Sequence, residues 1–329
     1  MAEKPKLSMY WASSCGGCEI ALVNLHEKIL AVAEHFDFMF CPCLLDTKKA
    51  DIEGLADGSI AVTFFNGAIR TTENEEMAHL LRRKSQVLVA FGSCAVGGSI
   101  PALSNLHSRA EHWRTIYLDN PSLENPAGVT PQTAVAVPEG ELELPGFLDR
   151  VRTLAQTVPV DYFLPGCPPE SQRIWEVAEA LIEGRPLPPK GSVLGAGEST
   201  VCEECARPKE NKTVARFYRT YELVPDPQKC LLEQGVVCLG IATRNGCGAL
   251  CPQVNMPCTG CYGPAEGILD QGAKMMAALG SAIDIGSYKG LSEQQIADRT
   301  DAILDSLPDQ AGAFYKYSLA GSILGGKMR

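Results

Sequence analysis

The spacing of cysteines in the last third of the chain constrains the fold more than any other feature. Eight of the fourteen cysteines lie in four pairs: Cys202/Cys205, Cys230/Cys238, Cys247/Cys251 and Cys258/Cys261. Glycine and proline recur between them, which excludes long helices and strands. Because so irregular a segment does not bury enough apolar surface to order itself, we expect metal bound by thiolates to supply the missing folding free energy.

The eight thiolates suffice for two four-cysteine sites, and soft sulfur ligands select zinc or iron–sulfur clusters. Zinc remains open from this stretch alone, since paired CxxC motifs are its usual signature. Disulfides are disfavoured because we find no secretory segment, and reducing compartments keep thiols reduced. Buried free thiols would explain one or two cysteines but not eight in pairs.

Composition narrows the class of protein. The 329 residues are 45% hydrophobic and 21% charged, as in a soluble folded protein with one large or two ordinary domains. The net charge of −10 argues against a nucleic-acid partner. No apolar run approaches the length of a membrane span, and no signal or twin-arginine pattern precedes the first strand. We therefore expect a cytoplasmic protein whose cysteines serve metal binding or catalysis.

Four further cysteines follow predicted strands in the first half of the chain. Strand patterns occupy residues 7–14, 36–40, 59–65, 86–91 and 160–164, with helical patterns at 19–35, 72–83 and 174–182. This alternation predicts a doubly wound α/β domain with a parallel sheet. Because the carboxyl ends of such strands meet at one crevice, we expect four thiols to converge there: Cys15, Cys18, Cys94 and Cys167. Zinc modules usually take ligands from short local loops, so the distributed set favours a functional cluster.

The second half is predicted to be a separate domain. Residues 186–200 have the composition of a linker, and we expect domains at 1–190 and 191–329. Helical patterns occupy 264–279 and 291–307, and Ser292 with Gln295 predicts a capping box for the latter. Three basic residues follow Cys205, and they form either a solvated face or a docking patch for an acidic electron carrier: Arg207, Lys209 and Lys212.

Three glycine-rich cysteine motifs carry a family resemblance: CGGC at 15–18, GSCAVGG at 92–98 and PGCPP at 165–169. Together with the later cysteine pairs, they resemble the small subunit of nickel–iron hydrogenases over nearly the whole chain. The likeness is to the cytosolic branch, in particular the methyl-viologen-type (non-deazaflavin-reducing) hydrogenase associated with heterodisulfide reductase. The resemblance implies a flavodoxin-like domain followed by an irregular iron–sulfur-cluster-binding domain with a few helices.

The resemblance also implies three ligand sets, each for one 4Fe–4S cluster. The proximal set is Cys15, Cys18, Cys94 and Cys167; the distal set is Cys202, Cys205, Cys230 and Cys238; the medial set is Cys247, Cys251, Cys258 and Cys261. Many membrane-bound relatives have a histidine in place of Cys202 and a proline in place of Cys251, so the medial cluster here is expected to have four irons. Cys41 and Cys43 are left over and are expected to be structural.

The function implied is relay of electrons from H2 oxidation, with nickel and iron in a separate large subunit. An iron–sulfur or flavin subunit, of a heterodisulfide reductase-type complex, would accept the electrons. No catalytic residue is expected on this chain, although Glu19 is either a proton relay or a helix-start carboxylate that favours the helix dipole. No nucleotide fingerprint is present. The alternatives are a zinc-stabilised interaction module, a ferredoxin-like carrier, or the cluster subunit of a quinone or NADH oxidoreductase, which resembles the α/β half alone.

Overall fold

The chain forms two compact units. The structure, a computed structural model, describes residues 3–284, 289–307 and 309–325. One unit comprises Met1–Gly195 with Leu319–Arg329, and the other comprises Ala196–Ser318. Within the described ranges, no helix is both long enough and apolar enough to cross a membrane. The assignment of residues 1–190 and 191–329 to two cluster-binding domains stays a prediction.

The first unit is built on a parallel sheet. The strands of this unit are β1 (Lys6–Trp11), β2 (Asp37–Phe40), β3 (Ile60–Asn66), β4 (Ile69–Thr71), β5 (Ser85–Phe91), β6 (Ala134–Val137), β7 (Gly140–Glu143), β8 (Phe147–Arg152) and β9 (Tyr162–Leu164). Five of them pair in parallel in the order β2-β1-β3-β5-β9. This is the flavodoxin-like order, in which the chain reverses direction across the sheet beside β1. The predicted α/β class is confirmed.

Apolar residues on both faces explain why these strands are central. Along β5, Val89 packs into the hydrophobic cluster on one side of the sheet, whereas Leu88 and Ala90 pack into the cluster on the other. Successive side chains of a strand point to opposite faces, so a continuous apolar run is stable only when helices cover both. The strand ends then lie at the rim of a sheet that is itself well buried.

The helices of the first unit include several short ones that the sequence pattern did not predict, and one predicted helix is wrong. They are α1 (Gly17–Val23), α2 (Lys28–His35), α3 (Lys49–Glu53), α4 (Thr72–Lys84), α5 (Gly92–Gly97), α6 (Ser99–Ala102), α7 (Arg109–Trp113) and α8 (Ser171–Ile182). The single helix predicted at 19–35 is wrong, because the chain turns between α1 and α2 and His26 adopts a φ of +55° there. A right-handed helix does not accommodate that angle.

The second unit is mostly irregular. Its helices are α9 (Val201–Glu204), α10 (Leu250–Gln253), α11 (Gln271–Ala282), α12 (Glu293–Asp305) and α13 (Gln310–Tyr315). The predicted capping box of α12 is confirmed, since the Gln295 N–H donates to Ser292 Oγ at 3.3 Å and the Ser292 N–H donates to Gln295 Oε1 at 2.9 Å. The helix predicted from residue 264 starts only at Gln271, where Asp270 accepts a hydrogen bond from the Ala273 N–H.

A buried carboxylate ties the edge of the parallel sheet together. Asp161, just before β9, accepts hydrogen bonds from Arg82 on α4 at 2.6 Å, from Lys190 at 2.6 Å and from the Leu88 N–H at 2.8 Å. Burial alone would raise the pKa of Asp161, but the hydrogen bonds from Lys190, Arg82 and the Leu88 N–H outweigh it and lower that pKa. The carboxylate is therefore charged in the folded state and stabilises the β5–β9 pairing.

Replacing Asp161 with Asn should lower the free energy of unfolding of the first unit by about 1–3 kcal/mol at pH 7. The substitution removes the buried negative charge and leaves Arg82 and Lys190 without their charged partner. The folded-state pKa is depressed, so the contribution is present above the pKa of an unfolded Asp, about 3.9, and is lost as the pH falls through the folded-state pKa. Urea unfolding of wild type and D161N at pH 7 and at lower pH measures this. D149N, which breaks the exposed pair with Arg109, should cost less than about 1 kcal/mol. Equal losses in the two variants would contradict the account.

Candidate metal centres

The proximal set lies at the carboxyl edge of the parallel sheet. Cys15 and Cys18 follow β1, Cys94 follows β5, and Cys167 follows β9. Burial raises the pKa of the Cys18 thiol far above its usual range, and the neighbouring Glu19, Cys94, Cys167 and Cys15 raise it further. Burial likewise raises the pKa of Cys94 to about 11. The structure thus brings together all four thiols that the strand-end argument selected.

Glycine makes this approach of loops possible. Gly92 has a φ of +82°, and a Cβ placed on it would lie 2.3 Å from the Sγ of Cys18. A side chain at this position would displace the thiol. The next residue links two cysteine loops, because the Ser93 N–H donates to the Gly166 carbonyl at 2.8 Å and Ser93 Oγ accepts from the Gly166 N–H at 3.3 Å. These bonds fix the first turn of α5, which contains Cys94, against the loop of Cys167.

Glu19 is part of a polar contact that sequence reasoning missed. Its carboxylate is buried in the first turn of α1 and accepts hydrogen bonds from the amide nitrogen of Asn66 at 2.7 and 2.8 Å. The same nitrogen lies 2.9 Å from Ser14 Oγ. Asn66 is the last residue of β3, so an amide that ends an apolar strand and precedes Gly67 was the available signal. The two interpretations of Glu19 remain predictions.

The distal set surrounds a cavity in the second unit. Burial raises the pKa of Cys202 to about 12, with smaller contributions from Cys238, Cys230 and Cys205 that act against the lowering effect of Lys209. Three of the four thiols line a cavity of about 500 Å³: Cys202, Cys230 and Cys238. A Cβ on Gly240 would lie 3.1 Å from Cys202 Sγ, so glycine again leaves room beside the sulfur atoms. The arrangement forms a cradle lined by thiols.

The medial set is gathered less tightly. Burial raises the pKa of Cys258 well above its usual value, and Cys238 and Cys261 raise it further. The Cys258 N–H donates to the Sγ of Cys238 at 3.3 Å, so the medial and distal sets adjoin. Cys247 packs against the same small apolar cluster as Cys258. Cys251 is exposed in α10.

Glu204 links the distal and medial loops and was also missed. It lies inside the Cys202-to-Cys205 motif, and its carboxylate accepts hydrogen bonds from the backbone N–H groups of Gly246 and Ala249 at 3.1 and 3.2 Å. Cys247 Sγ lies 3.6 Å from Glu204 Oε1. An acidic residue between two cysteine ligands is the signal that sequence reasoning passed over.

The three basic residues after Cys205 differ in solvent exposure. The solvated-face interpretation is wrong for Arg207, which is 9% exposed. Lys209 is exposed and donates to the Cys202 carbonyl at 3.0 Å. Lys212 is exposed and pairs with Glu210. Long-range contacts, which a local charge pattern does not reveal, bury the first of the three.

The leftover cysteines lie at the end of β2. The Sγ atoms of Cys41 and Cys43 are 3.4 Å apart, with the first buried and the second exposed. Burial raises the pKa of Cys41 to about 12. The expectation that the two are structural stays a prediction.

The donor sets fit iron–sulfur clusters. Each of the three sets offers thiols alone, the ligand type of four-iron clusters, and the glycines noted above leave space beside the sulfurs. Among the described residues, no three or more His, Cys, Asp or Glu are grouped so that they would hold a single metal ion. In a four-iron cluster each thiolate binds a different iron, so its ligands do not meet at one ion. The raised pKa values mean that binding must release protons from the buried thiols.

Comparison with known proteins decides the family. The family described as NADH ubiquinone oxidoreductase, 20 Kd subunit, matches residues 15–181. The chain is 39% identical over 329 residues to the iron-sulfur subunit of the F420-non-reducing hydrogenase of Archaeoglobus profundus, with 98% of each covered. It is 36% identical over 332 residues to a subunit of the F420-non-reducing hydrogenase of Methanothermobacter marburgensis, covering 100% of this chain and 99% of the relative. The chain belongs to this family of hydrogenase small subunits.

The fold of this hydrogenase small subunit has a counterpart among solved structures. A chain in the structure of the H2-activated, anaerobically purified [NiFeSe]-hydrogenase of Dm. baculatum superposes with a TM-score of 0.50. The alignment covers 80% of this chain and 95% of that chain at 19% identity, a level that supports the fold alone.

Substituting Gly92 with Ala tests the geometry of the proximal set. The added methyl group would lie 2.3 Å from Cys18 Sγ, too close for the thiol to keep its position. We therefore expect purified G92A to lose about four iron atoms per chain, the content of one 4Fe–4S cluster. Gly184→Ala is the matched control, because Gly184 also has a positive φ (+63°) but nothing lies within 4 Å of its Cβ position. Iron and acid-labile sulfide analysis measures the outcome. Unchanged iron in G92A would contradict the placement of Cys18 in this set.

Proposed function

We propose that this chain is the electron-transfer small subunit of a nickel–iron hydrogenase and that each of its three cysteine sets holds one 4Fe–4S cluster. The observation that carries the proposal is the meeting of four thiols from three separate segments, each following a different strand, at the carboxyl edge of one sheet. Local metal-binding loops do not require such an arrangement. The eight cysteines of the second unit supply the remaining two sets.

The residues of the chain ligate the clusters and adjust their surroundings. When bound, a 4Fe–4S cluster supplies reversible one-electron chemistry. The surrounding residues bury the thiols of Cys18 and Cys258 and so keep water away from these sulfur atoms. The Cys258 N–H donates a hydrogen bond to Cys238 Sγ. Such hydrogen bonds and burial are the means by which a protein sets cluster potentials.

The proposal assigns bond cleavage to another subunit. In it, H2 is oxidised at nickel and iron in a large subunit, and this chain carries the electrons through the proximal, medial and distal sets in turn. An iron–sulfur or flavin subunit of a heterodisulfide reductase-type complex in the cytoplasm receives them. The names of the relatives support the hydrogenase part, since those proteins are F420-non-reducing hydrogenase subunits.

The medial set is the part of the proposal with the weakest grouping of thiols. We assign Cys251 as its fourth ligand on the family resemblance, and the exposed position of that thiol in α10 leaves it open to iron. Glu19 is proposed as a helix-start carboxylate that favours the helix dipole, with a proton relay as the alternative, and in either role it accepts hydrogen bonds from Asn66.

Two of the rival functions each account for one unit only. A cluster subunit of a quinone or NADH oxidoreductase would explain the match at 15–181, but the eight later cysteines lie outside that range. A zinc-stabilised interaction module would explain the second unit but gives no reason for thiols at three strand ends of the first. The relatives that match nearly the full chain favour the hydrogenase proposal.

Removing one cysteine of the distal set should impair electron delivery while H2 cleavage in the large subunit continues. In the complex with the large subunit, Cys205→Ala should lower H2-dependent reduction of an external dye by at least the roughly 10- to 100-fold that changes around metal ligands cause. Exchange of H2 with deuterium from water should persist, because it takes place in the large subunit. Cys43→Ala, outside the three sets, should leave both activities intact. Dye reduction at the wild-type rate in C205A would contradict the relay.

A further inference from the structure

Arg207 is a buried cation held by the loops that carry cysteines. Its guanidinium makes five hydrogen bonds in the second unit. The acceptors are the carbonyls of Pro252 at 2.8 and 3.1 Å, Asp226 at 3.1 Å and Lys229 at 2.9 Å, and Asn255 Oδ1 at 2.8 Å. The planar guanidinium fork suits this set of fixed acceptors, whereas a lysine ammonium would satisfy fewer of them.

These acceptors lie next to cysteines of two sets. Lys229 precedes Cys230 of the distal set, and Pro252 follows Cys251 of the medial set. Arg207 itself is two residues from Cys205 and lines the same cavity of about 560 Å³. One side chain therefore links two distal loops to one medial loop.

The charge of Arg207 is not balanced by an ion pair with any carboxylate among the described residues. The charges of Asp226 and Arg207 are near enough to interact, but the Asp226 carboxylate forms its salt bridge with Lys229, at 3.0 Å. An arginine stays protonated in proteins, and burying a cation without a paired anion is costly. Neutral carbonyl dipoles satisfy its hydrogen bonds but do not cancel its charge. Negative charge near Arg207, present once the clusters are bound, would explain why this guanidinium is buried.

We propose that Arg207 is a positioning residue whose fixed positive charge offsets the negative charge of the thiolate-ligated clusters of the distal and medial sets and raises their reduction potentials. The inference rests on the proposed function, because the negative charge is that of the bound clusters. Reduction adds one more negative charge, so a nearby cation stabilises the reduced form. Net charge around a cluster is one of the determinants of its potential.

Potential-controlled electron paramagnetic resonance of the purified chain tests this charge effect. In Arg207→Gln we expect lower midpoint potentials for distal and medial clusters. At a fixed potential, the ratio of reduced to oxidised cluster should fall by on the order of tenfold, equivalent to about 1.4 kcal/mol of lost charge interaction. The proximal signal should not shift. Arg207→Lys, which keeps the charge, should stay near the wild-type potentials.

Arg216→Gln is the matched control, since Arg216 carries the same charge in the same unit but is exposed and paired with Glu222. Wild-type potentials in R207Q with its clusters intact would overturn the proposal. If R207Q fails to assemble clusters, R207K decides: assembly near the wild-type potentials supports the charge role, and equal loss of clusters overturns it in favour of hydrogen-bond geometry alone. Absence of clusters in the wild-type chain would instead refute the proposed function.

Discussion

The burial of thiols in loops with little regular structure is the constraint on which the rest of this protein depends. Burial raises the pKa of Cys18, Cys202, Cys238 and Cys258, so without metal these thiols would be neutral groups with weak hydrogen bonds. Metal binding turns them into charged ligands and ties their loops together. The irregular second unit needs this stabilisation most, because its cysteine loops contain few and short helical turns.

The two units meet that constraint in different ways. In the first unit, the parallel sheet brings distant cysteines to one edge, and Asp161 and the two-sided core hold the strands whose ends carry them. In the described residues of the second unit no sheet brings the cysteines together, and side chains link their loops directly. Glu204 accepts backbone hydrogen bonds from the loop of Cys247, and Arg207 donates to the loops of Cys230 and Cys251. The acidic side chain of Glu204 and the basic side chain of Arg207, three residues apart, thus hold the neighbouring loops in place by hydrogen bonds.

Local pattern predicted the parts of the structure that depend on local physics. The apolar runs predicted the central strands, and the sequence pattern predicted the Ser292 capping box. Because the carboxyl ends of parallel strands meet at one edge, the sequence also predicted that four thiols lie close together there. The break near His26 was not predicted, because the apolar periodicity continues across it. The burial of Arg207 was not predicted either, since its acceptors at Asp226 and Pro252 are remote in sequence. Ligand assignment of the twelve cysteines rests on family resemblance, and the grouping of Cys251 stays a prediction.

The most direct test of the central claim is the iron, zinc and acid-labile sulfide content of the anaerobically purified chain, read together with electron paramagnetic resonance. Three four-iron clusters predict about twelve iron and twelve sulfide per chain without zinc. Cys251→Ala should then convert one cluster to a three-iron form visible in the oxidised sample. Two or three zinc ions with no sulfide would contradict the account.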